Sequence, residues 1–288
     1  MDHLESFLQR AEGLLNRLEL LVPPPVFPID WSVTLAARWR KSPYGGRLEA
    51  VLFPHMLTLS HLQRIDDQIT RVDRNTSQFM QGLPANNVLL TGSRGTGKSS
   101  LVKAMLARYG DKGLRLVEVD KSDLVDLPDL VTIFNNLDYR FIIFCDDLSF
   151  EENDPSYKSL KVVLDGSIGG YAKNVLIYAT SNRRHLLPEY RRENLETHHV
   201  NGEIHLGEAS EEKISLSERF GLWIPFYPFT QDEYLVIVEY WLKSFGLDLL
   251  EPETRNEALR FAMERGSRSG RIAWQFACDF AGRAMLHD

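Results

Sequence analysis

One stretch of eight residues limits what this chain can fold into more than any other feature. Residues 92–99 read GSRGTGKS and match the whole pattern G-x-x-x-x-G-K-[ST], with an apolar run at 88–91 before them and a helix-forming run from Ser100 onwards. Glycines at these positions let backbone N–H groups curl around phosphate oxygens, and a helix N-terminus adds partial positive charge. The pattern predicts a phosphate-binding loop, and a structural glycine-rich turn is the weaker alternative.

The same residues predict how a nucleotide is bound. We expect the ammonium group of Lys98 to contact the β- and γ-phosphates and the hydroxyl of Ser99 to hold a magnesium ion. The string DKSD at 120–123 differs from the N-K-x-D of guanine-binding proteins in its first residue and in its place along the chain, so ATP is predicted, with Mg²⁺. The residues predicted to bind the nucleotide are Gly92, Ser93, Arg94, Gly95, Thr96, Gly97, Lys98, Ser99 and Ser100.

Short apolar runs around this loop predict the fold class. They lie at 88–91, 114–119, 141–145, 175–180 and 222–226, and helical patterns separate them. Continuous apolar strands separated by helices are typical of a parallel sheet that is covered on both faces. The proline inside the last run predicts an edge strand, or a strand that ends there. The sequence therefore predicts an α/β protein with the parallel αβα sheet of a P-loop NTPase.

Helical patterns flank the sheet region on both sides. Leucines at helical spacing in the first 22 residues stop at three consecutive prolines, and the pattern from Trp31 to about Gln81 is mostly helical. After Phe229 the pattern is helical to the end. We predict three parts: a helical N-terminal segment (1–80), a P-loop ATPase core (81–228) and a small C-terminal helical lid (229–288).

Composition excludes several classes of protein. With 43% hydrophobic and 25% charged residues, the 288-residue chain lies in the globular range, and its net charge of −7 is unlike that of a protein that coats DNA. The two cysteines, Cys145 and Cys278, lie in apolar stretches, which predicts buried thiols in a reducing compartment and excludes a cysteine-rich metal site. No leader pattern or apolar run of about 20 residues is found, so we expect a cytoplasmic protein without a membrane partner.

Two aspartates and one asparagine stand after apolar runs. Asp146 and Asp147 follow residues 141–145 directly, and Asn182 follows residues 175–180 after one serine. Because nucleotides bind at the carboxyl edge of open α/β sheets, we expect Asp146 to hold magnesium and Asp147 to orient and deprotonate the attacking water. We expect Asn182 to hold that water or the γ-phosphate. An acidic helix N-cap for the aspartates and an Asx-type turn for the asparagine stay open as structural alternatives.

This set of motifs resembles the AAA+ family of ATPases over about residues 81–288, because strands tipped by aspartate and by asparagine occur in that family's order. The strings FMQGLPANNVLLTG, from Phe79, and FCDDLSF, to Phe150, resemble a group of bacterial predicted ATPases catalogued as a domain of unknown function. The resemblance implies Mg-dependent ATP hydrolysis by a homo-oligomer, coupled to the remodelling of a macromolecular partner.

The resemblance also implies further site residues. Asn182 matches the family's sensor 1, and Arg219 matches the arginine finger, which acts on the nucleotide of a neighbouring subunit. Arg271 matches sensor 2, with Arg268 as the second choice. An arginine at a helix end is otherwise a surface cap or an ion-pair partner, and that alternative stays open.

One departure from the family leaves other functions open. The family has Asp-Glu where this chain has Asp-Asp, and the side chain of Asp147 is one methylene shorter than glutamate. Hydrolysis is then slow, or Glu151 or Glu152 assists. A nucleotide-dependent binding switch with little turnover is therefore one alternative. A small-molecule kinase is another, and the C-terminal helices with Arg271 speak against it.

The polar stretch 189–213 predicts an exposed loop. It contains His198, His199 and His205, but a loop rich in Glu, Asn and Gly rarely provides the rigid geometry of a metal site. Four arginines at 183, 184, 191 and 192 could meet nucleic acid or acidic groups. The net acidity favours the second reading, so nucleic acid is a possible partner but is not indicated.

Overall fold

The protein is built around one mixed sheet with helices on both faces. A computed structural model describes residues 5, 7, 8, 10–13, 28–42, 45–54, 57–150, 154–166, 172–183, 198–200, 203–205, 216–247 and 251–286. Within these residues the large sheet has seven strands, in the order β2-β1-β4-β5-β6-β3-β9. All neighbouring strands are parallel except β1 and β2, which form an antiparallel pair. The strands are β1 (Ala36–Ser42), β2 (Gly45–Val51), β3 (Val88–Gly92), β4 (Leu114–Glu118), β5 (Arg140–Cys145), β6 (Val175–Ser181) and β9 (Leu222–Phe226), while β7 (His198–Val200) and β8 (Glu203–His205) form a separate hairpin.

Helices cover both faces of this sheet. Alternate residues of β5 point to opposite sides: Ile142 and Phe144 belong to one buried apolar cluster, and Phe141 and Ile143 belong to another. Helices α1 and α2 contribute to the first cluster, and α3 and α4 to the second, which gives the three layers of an αβα fold. The described helices are α1 (Asp66–Met80), α2 (Lys98–Tyr109), α3 (Leu127–Asn135), α4 (Pro155–Asp165), α5 (Gln231–Ser244), α6 (Pro252–Glu264) and α7 (Gly270–Leu286).

The structure confirms the predicted fold class. Each of the five apolar runs forms a strand, and all five are parallel to their neighbours in the sheet. Strand β9, which contains Pro225, lies at the edge of the sheet, as the proline predicted. The glycine-rich loop at 92–99 follows β3, whose neighbours are β6 and β9. The tips of these strands therefore meet beside the loop.

The mostly helical pattern expected from Trp31 to about Gln81 is wrong for strands β1 and β2, and right for α1. Strand β1 pairs with β4, and the guanidinium of Arg38 forms an ion pair with Glu118, its partner in the register (2.8 Å). Alanine, arginine and lysine favour helices locally, so the segment carries no strand signal of its own. Its conformation depends on partners that are far away in the sequence.

Helices α5, α6 and α7 form the helical C-terminal part that the sequence predicts, which is called the lid below. Helix α5 begins with a capping box in which the Thr230 hydroxyl accepts the N–H of Glu233, and the Glu233 carboxylate accepts the N–H of Thr230. Tyr234 and Val238 of this helix enter the same apolar cluster as α1 and α2, so the lid packs against the core. Among the described residues, no helix has both the length and the apolar character needed to cross a membrane.

The two cysteines differ in burial. Cys145, at the end of β5, is fully buried, and burial raises the pKa of its thiol to about 12. Cys278 is exposed, so the expectation that both thiols are buried is wrong for this residue. On α7 the buried positions are Ala273, Phe276, Ala277 and Ala281, and Cys278 lies outside this buried stripe.

Candidate nucleotide-binding site

The loop between β3 and α2 uses glycine where the backbone requires it. Gly92, Gly95 and Gly97 have φ angles of 119°, 72° and 100°, in the region that side chains rarely adopt. A Cβ on Gly92 would lie 1.9 Å from the carbonyl oxygen of Phe226 on β9. The motif therefore forms a tight loop with its backbone close to the neighbouring strand.

The side chain of Lys98 lies at the centre of this loop. Its Nζ donates hydrogen bonds to the carbonyl oxygens of Gly92 (2.8 Å) and Ser93 (2.7 Å), and to Oδ1 of Asn182 (3.1 Å). Two of the three acceptors are thus backbone oxygens of the loop itself. A phosphate that enters the loop would offer this ammonium group charged oxygens in their place.

The surroundings of Lys98 shift its proton equilibrium. Burial lowers the pKa of Lys98 to about 8, and the guanidinium groups of Arg94 and Arg271 act in the same direction. The carboxylates of Asp146 and Asp147 oppose them. The site therefore combines three basic side chains with two acidic ones, and a bound polyphosphate would favour the charged lysine.

The carboxylate of Asp146 faces two hydroxyl groups. Its Oδ1 accepts a hydrogen bond from Ser99 Oγ (2.6 Å), in the first turn of α2, and one from Thr180 Oγ1 (2.5 Å), near the end of β6. Mg²⁺ prefers hard oxygen ligands and usually binds through one or two carboxylates together with substrate phosphates. The Ser99 hydroxyl and the Asp146 carboxylate are such a donor set. The predicted metal pair is therefore brought together, and it fits a magnesium ion.

Asp147 has an unusual backbone conformation. Its φ is 52°, in the left-handed region, where aspartate and asparagine are the most tolerated residues after glycine. Its N–H donates to Thr180 Oγ1 (2.9 Å), and its Oδ1 accepts from Asn182 Nδ2 (2.6 Å). Asn182 thus contacts both Asp147 and Lys98. The three residues predicted for catalysis and phosphate binding form one connected group at the tips of β5, β6 and β3.

A cavity of about 790 Å³ opens above these residues. The core provides one wall, the lid provides the second, and a segment before α1 provides the third. The third wall contains His61, whose ring stacks on that of Trp241 of α5, with the ring centroids 5.7 Å apart. Within the lid, the ring of Trp274 of α7 packs edge-on against the ring of Trp241. The lining residues are Arg94–Ser100, Asp146, Asp147, Thr180 and Asn182 of the core, Phe229, Ile237, Trp241, Gly270, Arg271 and Trp274 of the lid region, and Leu57, His61, Leu62, Gln63 and Ile65.

The structure separates the two sensor 2 candidates. Arg271, in the first turn of α7, lines the cavity, and the adjoining Gly270 comes close to the backbone of Gly95. Arg268 lines a different groove, of about 660 Å³, which it shares with Met263. Of the two arginines, only Arg271 is therefore placed at the cavity among the described residues.

Arg219 lies elsewhere. It is not among the residues that line the cavity, and its Nε donates to Oδ1 of Asp165 at the end of α4. An arginine finger acts on the nucleotide of a neighbouring subunit, so a place away from the cavity of its own chain is compatible with this role. The role of Arg219 as an arginine finger stays a prediction. Glu151 and Glu152, and the side chains of the three histidines of the 189–213 stretch, lie outside the described residues.

Sequence reasoning missed two parts of the site. Thr180 contacts both aspartates, but a threonine near the end of an apolar strand carries no signal by itself. The wall at residues 57–65 has no motif, and it reaches the cavity only because the chain turns there before α1. The aromatic residues Trp241 and Trp274 on helices of the lid are the one sequence feature that could have suggested an additional wall.

With this geometry established, comparison with known proteins identifies the family. The model of a family described as a protein of unknown function (DUF815) matches residues 32–284. The chain belongs to the DUF815 family. This confirms the resemblance to a group catalogued as a domain of unknown function. None of the curated proteins compared with this DUF815 chain matches it.

Solved structures resemble this DUF815 protein in fold. The Aeropyrum pernix Orc1 protein in complex with DNA matches with a TM-score of 0.54 and 16% identity, over 79% of this chain and 62% of that chain. The Thermotoga maritima RuvB Holliday junction branch migration motor gives 0.49 and 15%, over 76% and 62%. AMPPCP-bound DnaA from Aquifex aeolicus gives 0.48 and 15%, over 75% and 62%. The chain spans less than two thirds of the length of each, and the Orc1 match supports the predicted α/β fold.

Proposed function

We propose that this protein binds ATP with Mg²⁺ and hydrolyses it. One observation carries the proposal: five polar side chains meet beside the glycine-rich loop and line one cavity. They are Lys98, Ser99, Asp146, Asp147 and Asn182. When bound, magnesium neutralises the charge that develops on the phosphate oxygens. The protein's part is to position the reacting groups and to provide fixed charges.

Each of these residues has a distinct role in this proposal. Lys98 exchanges the loop carbonyls for the β- and γ-phosphate oxygens, and Ser99 and Asp146 hold the cation. Asp147 accepts a proton from the attacking water, and Asn182 orients the carboxylate of Asp147 through its amide group. Arg271, which approaches from the lid, adds positive charge where the γ-phosphate would lie.

A calorimetric titration tests the binding step. We expect wild type to bind ATP in magnesium buffer, and Lys98→Ala to lose at least about tenfold in affinity, since a charged hydrogen bond to phosphate is removed. Lys103→Ala is the matched control, because Lys103 lies on the same helix and does not line the cavity. Wild type that gives no heat with ATP would overturn the proposal.

We further propose that the protein acts as a homo-oligomer that remodels a macromolecular partner. The AAA+ type of fold supports this, and so does Arg219, which lies away from the cavity of its own chain. Turnover per subunit should rise with protein concentration, and ATP should promote self-association in sedimentation experiments. A monomer with constant specific activity at all concentrations would contradict this part of the proposal.

One observation favours a second candidate, a binding switch with little turnover. The Oδ1 atom of Asp147 already accepts a hydrogen bond from Asn182, and the aspartate side chain is shorter than the glutamate of the family pattern. A switch would bind ATP tightly in wild type without releasing phosphate. Measuring phosphate release from wild type and from Asp147→Asn separates the two, because only an ATPase loses turnover with this substitution.

A further inference from the structure

The hydroxyl of Thr180 forms hydrogen bonds in the candidate site, and the roles proposed above assign no function to them. The residue lies in β6 and is only 2% exposed. Its Oγ1 bonds to Oδ1 of Asp146 (2.5 Å) and to the N–H of Asp147 (2.9 Å), and its carbonyl oxygen accepts the N–H of Leu148 (2.7 Å). One residue of β6 thus holds three consecutive residues that follow β5.

The direction of these hydrogen bonds is fixed. A threonine hydroxyl has one hydrogen and two lone pairs. Because the N–H of Asp147 can only donate, the hydroxyl accepts it, and its own hydrogen points to Asp146. Thr180 therefore acts as a donor towards the Asp146 carboxylate and as an acceptor towards the Asp147 backbone.

The donated hydrogen bond orients Asp146. Its Oδ1 receives hydrogens from both Ser99 and Thr180, whereas within the described part of the chain no hydrogen bond reaches Oδ2. Two hydroxyl donors on one oxygen hold the carboxylate in a single rotamer. The second oxygen is then free to face a cation or its water shell.

The accepted hydrogen bond holds the backbone of Asp147. A φ of 52° is unfavourable for a residue other than glycine and needs support from its surroundings. The bond from its N–H to Thr180 provides such support, and the side chain then reaches Asn182. Without this bond, the chain after β5 could relax towards an extended conformation and move the carboxylate away.

We propose that Thr180 is a positioning residue for the magnesium-dependent reaction, orienting Asp146 towards the cation and Asp147 towards the attacking water. This inference rests on the proposed function. It predicts that Thr180 acts on the magnesium-dependent part of nucleotide binding and on turnover. The contacts between Lys98 and the phosphates do not pass through it.

The test measures ATP affinity in magnesium buffer and in excess chelator, for wild type, Thr180→Val and Thr180→Ser. Removing one hydrogen bond to a charged group should reduce the magnesium enhancement of affinity by about tenfold in Thr180→Val. Affinity in chelator should stay within about twofold, and turnover should fall by at least about tenfold. Thr180→Ser keeps the hydroxyl and should restore both the enhancement and the turnover.

A matched control separates positioning from a loss of stability. Thr76, on α1, is also fully buried, and its hydroxyl bonds to the carbonyl of Val72 and to the hydroxyl of Tyr178, away from the cavity. Thr76→Val should reduce thermal stability and leave the magnesium enhancement unchanged. If Thr180→Val does not fold, Thr180→Cys replaces it, because a thiol of similar size is only a weak hydrogen-bond donor.

The outcomes distinguish this inference from the proposed function. Wild type that fails to bind ATP with magnesium would overturn the proposed function, and the role of Thr180 would fall with it. Wild type that binds, together with a Thr180→Val or Thr180→Cys protein that keeps the full magnesium enhancement and turnover, would overturn the positioning role alone. Loss of affinity in chelator by the same factor as in magnesium would also contradict it, since that result indicates a general structural defect.

Discussion

Asn182 holds the carboxylate of Asp147 through a hydrogen bond of 2.6 Å from its Nδ2 atom, while its Oδ1 atom accepts from Lys98. One amide thus joins the proposed base to the proposed phosphate ligand. Because its two polar ends face groups of opposite charge, the orientation of the amide is determined. Lys98, Asn182 and Asp147 should therefore respond together when a nucleotide enters.

Replacing Asn182 with alanine tests this link. We expect turnover to fall by about a hundredfold, because a fixed hydrogen-bond donor beside the reacting groups is lost. The Michaelis constant should change little, since the main phosphate contacts come from Lys98 and the loop backbone. Steady-state kinetics measure both constants. Asn135→Ala, an exposed asparagine at the end of α3, is the control, and equal effects of the two variants would contradict the role of Asn182.

The left-handed backbone conformation of Asp147 leads to a prediction that differs from the one suggested by the AAA+ pattern. The AAA+ pattern that the sequence resembles has glutamate here, so Asp147→Glu could be expected to increase hydrolysis. In this chain φ is 52°, and glutamate tolerates that region less well than aspartate or asparagine. We expect Asp147→Glu to lower the free energy of unfolding by about 1 kcal/mol and not to increase turnover.

Asp147→Asn completes this comparison. Asparagine tolerates the same backbone conformation, so stability should stay within about 0.5 kcal/mol of wild type, while turnover is lost with the carboxylate. Urea denaturation and phosphate release measure the two effects separately. A stable and faster Asp147→Glu protein would show that the backbone at this position adapts to glutamate.

The parts of this fold that could be predicted are those whose signal is local. The loop at 92–99 and the five apolar runs carry their own patterns, and all form the expected elements. Strands β1 and β2 could not be predicted, because β1 depends on pairing with the distant β4 and on ion pairs such as that between Arg38 and Glu118, and β2 pairs with β1. Residues 57–65 reach the cavity through the path of the chain, which no short pattern records.

The same distinction applies within the site. Lys98 and Ser99 belong to a motif, so their positions follow from the loop. Thr180 and Asn182 are only two residues apart, but the place after an apolar run and the resemblance to the AAA+ family predict a role for the asparagine alone. The role of Thr180 depends on the register of β6 beside β5, where Ala179 pairs with Cys145, the residue before the aspartates. That register depends on how segments that are far apart in the sequence pair in the sheet, so no short sequence pattern records it.

The lowered pKa of Lys98 predicts a pH dependence of binding. Because its pKa is about 8, Lys98 loses its positive charge as the pH rises through that value. Affinity for Mg-ATP should fall above pH 8, approaching tenfold per pH unit, since the charged form binds phosphate. Lys98→Arg should bind more weakly at pH 7 but with little change up to pH 9.5, because arginine stays protonated. A wild-type affinity that is constant from pH 7 to 9.5 would contradict this.

The contribution of Lys98 to the free energy of unfolding should become more favourable as the pH rises, whereas its contribution to Mg-ATP affinity weakens. Folding lowers the pKa of Lys98 from its ordinary value of 10.5 to about 8, so between these values the unfolded chain binds more protons than the folded protein. The penalty for burying the charge is fully present below pH 8 and is relieved as the pH rises. Urea denaturation of Lys98→Met and wild type at pH 7 and 10 measures this, and the advantage of the methionine variant should shrink at pH 10.

Alanine substitutions at two glycines distinguish the stability cost of backbone strain from the stability cost of steric overlap. Gly113 has a φ of 99° with open space around its Cβ direction, whereas Gly92 has a φ of 119° and would place a Cβ 1.9 Å from the Phe226 carbonyl oxygen. Gly113→Ala should therefore cost about 1 kcal/mol, and Gly92→Ala about 3 kcal/mol, because overlap adds to the strain. Denaturant midpoints measure both. Equal losses would indicate that β9 moves away from the loop without cost.

The position of Arg219 allows a test of action between subunits. Arg219→Ala and Lys98→Ala should each abolish turnover when they are the only subunit present. A finger supplied by a neighbour can contribute three to five powers of ten in rate. If Arg219 acts on a neighbour, a mixture of the two variants contains interfaces with an intact loop on one side and an intact arginine on the other, so activity returns.

Asp165→Asn is the control for this experiment, because the carboxylate of Asp165 forms an ion pair with Arg219 within the chain. If the arginine serves only this ion pair, Asp165→Asn and Arg219→Ala should lower stability alike, and mixing with Lys98→Ala should restore no activity. If Arg219 reaches a neighbouring nucleotide, Asp165→Asn should keep turnover, because the arginine itself remains. Recovery in the mixture together with an active Asp165→Asn protein would assign Arg219 to the site of the adjoining subunit.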